Sequence, residues 1–360
     1  MNHFKLTLGV VLILLCSLGS QAQLTRKYSN EFLAIGVSAR ALGMSNSVVS
    51  TTNDVTGGYW NPAGILGIQS DLQVAAMHAE YFAGIAKYDY AALGKQIDTT
   101  SAVALSVIRF GVDDIPNTTE LIDAEGNINY DRITTFSAAD YAFILSYARK
   151  MKKGLNVGVN AKVVYRHVGD FASAFGFGID AAATYRWKEW NFGVMARDIT
   201  TTFNAWSTNL DDRTKEVFEL TGNEIPQNSV ELTLPRIILG ASRTFSIKKF
   251  SILPELNIDL TTDGKRNTLV SANPISLDPH FGLELGYNTK FFVRGGIGNV
   301  QKESDIDGNT RYTFQPNFGV GLQFERISLD YALSDIGDQS VALYSNVFSL
   351  RFDIVKKPRN

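Results

Sequence analysis

The sequence predicts an all-β chain, a transmembrane antiparallel β-barrel of about 14 strands with an N-terminal lumenal plug. Three observations carry that expectation. Between Asp71 and Val355, apolar and polar residues alternate in about fourteen segments, each near the 9–11 residues that a tilted membrane strand needs. The links between those segments alternate between very short and long. Ahead of them, Phe32 to Gly67 is rich in glycine, has no helical or alternating period, and ends in Tyr59-Trp60-Asn61-Pro62-Ala63-Gly64. Irregular backbone of that kind exists at membrane depth only where protein surrounds it.

The predicted strands lie near 70–83, 87–97, 99–112, 139–150, 154–168, 172–187, 190–198, 232–246, 250–262, 279–288, 290–299, 311–324, 326–334 and 344–355. Short polar links follow the even-numbered ones, among them Asp98-Thr99, Lys188-Glu189 and Glu325-Arg326. Long links, Val112 to Ala138, Ile199 to Glu231, Thr262 to Asp278, Val300 to Thr310 and Asp335 to Leu343, follow the third, seventh, ninth, eleventh and thirteenth. Outer-membrane barrels keep short turns at the periplasmic end and long loops outside, whereas a soluble sandwich has no reason to collect its long loops at one end.

Single strands separate two faces. In Leu155 to His167, the set Leu155, Val157, Val159, Ala161, Val163 and Tyr165 is apolar and opposes Asn156, Gly158, Asn160, Lys162 and Arg166. Phe175, Phe177 and Ile179 oppose Gly176, Gly178 and Asp180, and Phe348, Leu350 and Phe352 oppose Ser349, Arg351 and Asp353. Tyrosines and tryptophans near strand ends (Tyr165, Tyr185, Trp187, Trp190, Tyr287, Tyr331) suit an interfacial girdle, and a charged opposite face suits a lumen rather than a soluble core.

The N-terminus adds an address. Met1 to Lys5 is a short basic stretch, Leu6 to Leu18 is apolar, and Ser20-Gln21-Ala22 supplies small residues for cleavage, so residues 1–22 are expected to be a signal peptide. The domain plan is then a plug over 23–68, a barrel over 69–355 and a short periplasmic tail over 356–360. The single cysteine, Cys16, falls inside the leader, which excludes a disulfide framework in the mature chain. A formal charge of −2 with scattered Lys and Arg gives no reason to expect nucleic acid, and 11% aromatic residues, 30 glycines and only 19% charged residues suit a β-rich chain with an apolar exterior.

The stretch IGVSARALGMSNSVVSTTNDVTGGYWNPAGI resembles the hallmark of the PorV/PorQ family of Bacteroidota outer-membrane proteins, which are related to FadL-type barrels. The matching positions are Gly36, Ala39, Arg40, Ala41, Gly43, Met44, Asp54, Trp60, Asn61, Pro62, Ala63 and Gly64; Ser45-Asn46-Ser47 departs from the small residues and glycines usual there. The resemblance covers the plug strongly and the barrel loosely. It implies a fourteen-stranded barrel in the outer membrane of a Gram-negative, Bacteroidota-type bacterium. It also implies an accessory or shuttle role in type IX protein secretion, with the translocon, the C-terminal domains of cargo or a surface complex as partners. The alternative is a FadL-like transporter of hydrophobic small molecules, and a third reading is a structural barrel of a surface or motility complex.

Candidate site residues follow from both readings. The plug motif is Gly36, Arg40, Gly43, Trp60, Asn61, Pro62 and Gly64. The lumen charges are Lys162, Arg166, Asp180, Arg186, Arg197, Glu284, Arg294, Asp330 and Arg351, with Asp353, and they are expected to anchor the plug. Phe203, Trp206, Phe218 and Ile225 fall in the longest link and mark it as a candidate partner loop. No enzyme, cofactor or metal is expected. His78, His167 and His280 lack metal-ligand spacing and read as lumen or rim residues, and Asp305 to Asn309 reads as a turn rather than a calcium loop. Lumen polarity separates the two main readings, since apolar pockets near the external loops would favour transport.

Overall fold

The computed structural model describes residues 29–122, 126–304, 310–334 and 344–355. The expected leader, the first residues of the plug, the Asp305–Asn309 turn, the link from Asp335 to Leu343 and the tail lie outside them. Eighteen strand segments form one antiparallel sheet, and where consecutive segments continue one another they make a closed wall of 14 strands.

These wall strands are β1 (Leu72–Tyr81), β2 (Ala86–Gln96), β3 (Ser101–Asn117), β4 (Thr134–Lys150), β5 (Leu155–Val168) and β6 (Ala172–Trp187). β7 is made of Trp190–Arg197 and Thr202–Thr208, and β8 of Ser229–Thr233, Arg236–Arg243 and Phe245–Ile247. The circuit continues through β9 (Phe250–Thr261), β10 (Ser276–Tyr287), β11 (Phe291–Ser304), β12 (Thr310–Phe324), β13 (Ile327–Ser334) and β14 (Ser345–Ile354). The two-residue segment Val270–Ser271 pairs onto the start of β10 from within the link before it. Closure comes from β14 pairing with β1, from Leu72 opposite Ile354 to Glu80 opposite Asn346, so the wall has no free edge.

The alternation read from the sequence sets the faces. On β5, Val159 and Val163 point outward while Gly158, Asn160, Lys162 and Val164 are buried inside. Phe175, Phe177, Phe348 and Leu350 are likewise on the outside. Among the described residues no helix is long and apolar enough to cross a membrane, so any crossing is made by strands.

Several expected links are shorter than the sequence suggested. β3 runs on to Asn117, β4 begins at Thr134, β11 reaches Ser304, and the 199–231 link holds the second piece of β7 and the start of β8. Beyond the apolar band both faces of a strand meet polar surroundings, so alternation fades there although pairing continues.

Inside the wall, Ser29 to Ile68 forms two short α-helices, α1 (Ala39–Gly43) and α2 (Gly57–Trp60), and two 3-10 turns, Glu31–Leu33 and Pro62–Gly67. Most of its residues are buried, and it supplies much of the molecule's main apolar core with Val37, Leu42, Met44, Val48, Val55, Trp60, Ile65 and Ile68. Wall residues opposite it are small. A Cβ added at Gly158 would collide with the backbone of Pro62-Ala63, whereas one added at Gly295, on the outer face, has nothing within 4 Å.

Gly158→Val is therefore expected to destabilise the barrel by about 1–3 kcal/mol, as overpacking does, and Gly295→Val to leave it within about 0.5 kcal/mol of wild type. Urea midpoints followed by the heat-modifiable mobility of the folded barrel measure both; equal midpoints would show that the inner segment does not press on β5.

Candidate functional site

The inner segment is held at both ends of the lumen by the wall's inward polar side chains. Toward the short-turn end, Arg40 donates to Glu284 at 2.9 Å, and Arg294 bonds both Glu284 at 2.7 Å and Asp330 at 2.6 Å. Arg351 pairs with Asp54. Glu255 on β9 makes no ion pair among the described residues; it accepts from the Ser50 amide at 2.7 Å and the Thr51 hydroxyl at 2.5 Å. Arg40, Ser50, Asp54, Glu284, Arg294 and Arg351 line a cavity of about 510 Å³, with Arg186 exposed on its rim.

The motif residues support the segment's own shape. Trp60 donates through Nε1 to the Val37 carbonyl at 2.9 Å, and Asn61 reaches the Val49 carbonyl at 3.0 Å and Ala183 on the wall at 3.2 Å. Asn61 is extended ahead of Pro62, and its side chain caps the following turn by accepting from the Ala63 amide. Gly36 has φ +106°, a left-handed conformation that side chains rarely adopt, and Gly64 lies so close to the Thr52 carbonyl that a Cβ there would collide with it. Gly43 lies against Gly319 of β12.

At the long-loop end the wall is interrupted. β7 pairs with β6 up to Ala196 and again from Phe203, and on its other side it pairs with β8 up to Arg197 and again from Thr202. Asp198 to Thr201, facing Leu234-Pro235 of β8, forms the break. Pro235 has no amide hydrogen for a ladder, which suits it to such a place.

A buried ion cluster sits beside that break. Lys162 contacts Asp180 at 2.8 Å and Asp198 at 2.5 Å, and its side chain is only 3% exposed. The Asp198 amide donates to Asp180 at 2.8 Å, and the Thr202 hydroxyl donates to Asp198 at 2.5 Å. Arg197 turns inward, donates to the carbonyls of Leu33 at 2.9 Å and Tyr59 at 3.2 Å, and lies over the Tyr59 ring at 4.3 Å. Higher up, Arg166 pairs with Asp140 at 2.7 Å and Glu231 at 3.3 Å and lies 5.1 Å over Trp206. Asn204 donates to Ser29 at 2.8 Å and Asn30 at 2.9 Å, tying the start of the segment to the wall.

These groups enclose a second cavity, of about 470 Å³. Its polar side is Lys162, Asp180, Arg197 and Asp198, with Arg236, Asp263 and Arg266 at the rim. In the link after β9, burial opposes ionisation of Asp263, yet the Arg266 guanidinium bonded to it at 2.8 Å holds its carboxyl below the usual carboxylate range. The apolar side is Leu33, Ala34, Ile144 and Pro235, together with Val230, Leu232 and Leu234, which are 61%, 42% and 40% exposed on the outside of the wall. The lining thus passes from the inner segment to the outer surface.

Of the expected lumen charges, Lys162, Arg166, Asp180, Arg197, Glu284, Arg294, Asp330 and Arg351 all point inward. Asp353 accepts from Ser70 and Gln73, each at 2.7 Å. The partner-loop residues divide. Phe203 and Trp206 lie in β7, not in a loop, Phe203 facing outward and Trp206 under Arg166; Phe218 is half-buried on α3 (Asp212–Leu220), and Ile225 follows it in the link. His78 faces outward. Among the described residues no group of three His, Cys, Asp or Glu side chains could hold a metal ion. Glu255 is absent from the expected lumen charges, although FSILPELNIDL alternates and places Glu255, Asn257 and Asp259 opposite Leu256, Ile258 and Leu260. Asp198 had no such signal, because it lies where the alternation breaks.

No protein-family model matches the sequence, and no curated protein matches it. In fold the chain is similar to CymD, a monoaromatic hydrocarbon channel, with a TM-score of 0.55 and 12% identity over 89% of this chain and 98% of that one. It is similar to the toluene transporter TodX of Pseudomonas putida, with a TM-score of 0.55 and 9% identity over 89% of this chain and 99% of that one. It is also similar to the toluene transporter TbuX of Ralstonia pickettii, with a TM-score of 0.51 and 12% identity over 89% and 98%. At these identities the likeness is one of fold.

Lys162→Met strands two buried carboxylates without a counter-charge and is expected to cost about 3–5 kcal/mol, while the triple change Lys162→Met, Asp180→Asn, Asp198→Asn recovers most of that loss. Urea midpoints of the purified barrels read both. A single variant as stable as wild type would show that the cluster does not hold the break.

Proposed function

We propose that this barrel lies in the outer membrane of a Gram-negative bacterium and admits small, mainly apolar molecules through the cavity at the β7–β8 break. The observation that carries this reading is the lining of that cavity, which joins Leu33, Ala34 and Ile144 inside to Val230, Leu232 and Leu234 outside. A volume of about 470 Å³ is within the range of small-molecule sites, and apolar walls with a few placed polar groups are what such sites use. The fold neighbours described as carriers of toluene and monoaromatic hydrocarbons make an aromatic solute the first to try.

A second reading keeps a specific observation in its favour. The segment bearing the PorV/PorQ-like motif fills the lumen and is pinned by Arg40–Glu284, Arg351–Asp54 and the Glu255 contacts, an arrangement that suits a barrel working through its surface as a type IX secretion accessory. In that case the 209–228 link, with α3, is the contact for cargo or translocon.

Two measurements on the full barrel separate the readings. Vesicles holding the wild-type protein are expected to take up toluene several-fold faster than vesicles holding Ala34→Trp, which fills the cavity. Uptake equal to that of empty vesicles would end the transport reading. Removing 210–227 leaves both pieces of β7 and β8 in place, and loss of co-purifying exported proteins on that deletion would favour the secretion reading instead.

A further inference from the structure

The ladder places two guanidinium groups side by side just inside the β7–β8 break. Arg197 of β7 is opposite Arg236 of β8, and Arg236 is opposite Thr261 of β9, so the three share one rung. The alternation that leaves Ile237 and Leu239 exposed outside turns Arg236 and Ile238 inward. Arg197 is occupied by the carbonyls of Leu33 and Tyr59. Arg236 differs. Its side chain is 20% exposed, its ion contact is Asp259 at 3.6 Å, and among the described residues it makes no hydrogen bond. A guanidinium carries five N–H donors, so most of what Arg236 can offer is unused.

Val230, Leu232 and Leu234 lead to Arg236 along β8 from the outside, and Arg236 lines both the cavity of about 470 Å³ at the break and a neighbouring chamber of about 270 Å³ in the lumen. Arg197, Thr261 and Ala34 line both as well, so the two adjoin. The chamber is polar, with Asp259 and Asp278 opposite one another on β9 and β10 and His280 beside them. A wholly apolar solute that displaced water here would leave Arg236 a charged donor without a partner, which is costly. A carboxylate would lie against Asp259. His280 apart, the chamber's acids (Glu31, Asp259, Asp278) and bases (Arg197, Arg236, Arg266) are equal in number, so no excess of positive charge selects an anion. A hydroxyl satisfies both sides, accepting from Arg236 and donating to Asp259 across a gap too long for those two to bond directly.

We infer that the solutes this barrel admits are aromatic rings bearing one hydroxyl, phenols and benzylic alcohols, and that Arg236 selects them. The ring lies against Ala34, Ile144 and Pro235, and the hydroxyl lies between Arg236 and Asp259. The inference rests on the transport reading and narrows it, since a site built to bond a hydroxyl discriminates against the analogue that lacks one.

Equilibrium dialysis of radiolabelled p-cresol and toluene against nanodiscs holding the full barrel, with empty nanodiscs as the blank, tests it. The two solutes differ by one hydroxyl, and the wild-type barrel is expected to bind p-cresol about tenfold more tightly than toluene, as one hydrogen bond to a charged group allows. Arg236→Met is expected to bring that ratio to about one while the heat-modifiable mobility of a folded barrel persists. General damage to the cavity would instead weaken both solutes and keep the ratio. A wild-type ratio near one, a ratio that survives Arg236→Met, or tighter binding of benzoate than of p-cresol would each overturn the hydroxyl preference and leave the transport reading standing. Binding of neither p-cresol nor toluene above the blank would overturn both.

Discussion

The structure depends on an exchange of hydrogen bonds between an irregular segment and a closed wall. Ser29 to Ile68 has little regular structure with which to satisfy its own amides and carbonyls, and the wall has buried Arg, Lys, Asp and Glu side chains that no lipid or apolar core would tolerate. Each supplies what the other lacks. Arg197 serves the carbonyls of Leu33 and Tyr59, Asn160 serves Gly58 at 2.9 Å, and Glu255 serves the amide of Ser50. A buried polar group left without such a partner costs about 1–3 kcal/mol, so the wall and the segment are stable only together.

That exchange explains the glycine pattern as well. Wall positions facing the segment are small where the chain comes closest, as at Gly158 beside Pro62, and the segment itself is small where it meets β12, as at Gly43 beside Gly319. Space is traded between the two surfaces position by position, which is why the lumen holds a folded segment and no wide pore.

Much of the wall is legible in the sequence because one physical condition, lipid outside and polar protein inside, acts on every strand and leaves a period of two. The ends of β3, β4 and β11 are not, since above the apolar band that condition lapses while pairing continues. Lys162, Asp180 and Arg197 could be recognised as inward charges from their strands, but their partners could not. Asp198 belongs to no alternating run, and the contacts that join it to Lys162 depend on a bulge that only the three-dimensional pairing of β6, β7 and β8 reveals. Phe203 and Trp206 look like loop residues for the same reason, because the break in β7 resembles the start of a loop.

On the proposed transport reading, the break also reconciles a charged lumen with an apolar solute. A hydrophobic molecule crossing the whole lumen would have to displace Arg40, Glu284, Arg294 and Asp54 from their partners, and each buried pair broken is costly. A cavity that adjoins the outer surface beside Leu232 and Leu234 makes that crossing unnecessary. The ion cluster of Lys162, Asp180 and Asp198 then has a structural reason to lie where it does. An interrupted ladder exposes backbone groups at the edge of the apolar band, and the cluster bonds one of them, Asp180 taking the Asp198 amide, while Asp198 takes the Thr202 hydroxyl. The polarity that closes the lumen and the polarity that holds the wall at the break lie at its two ends, and the apolar side of the cavity lies beside the second.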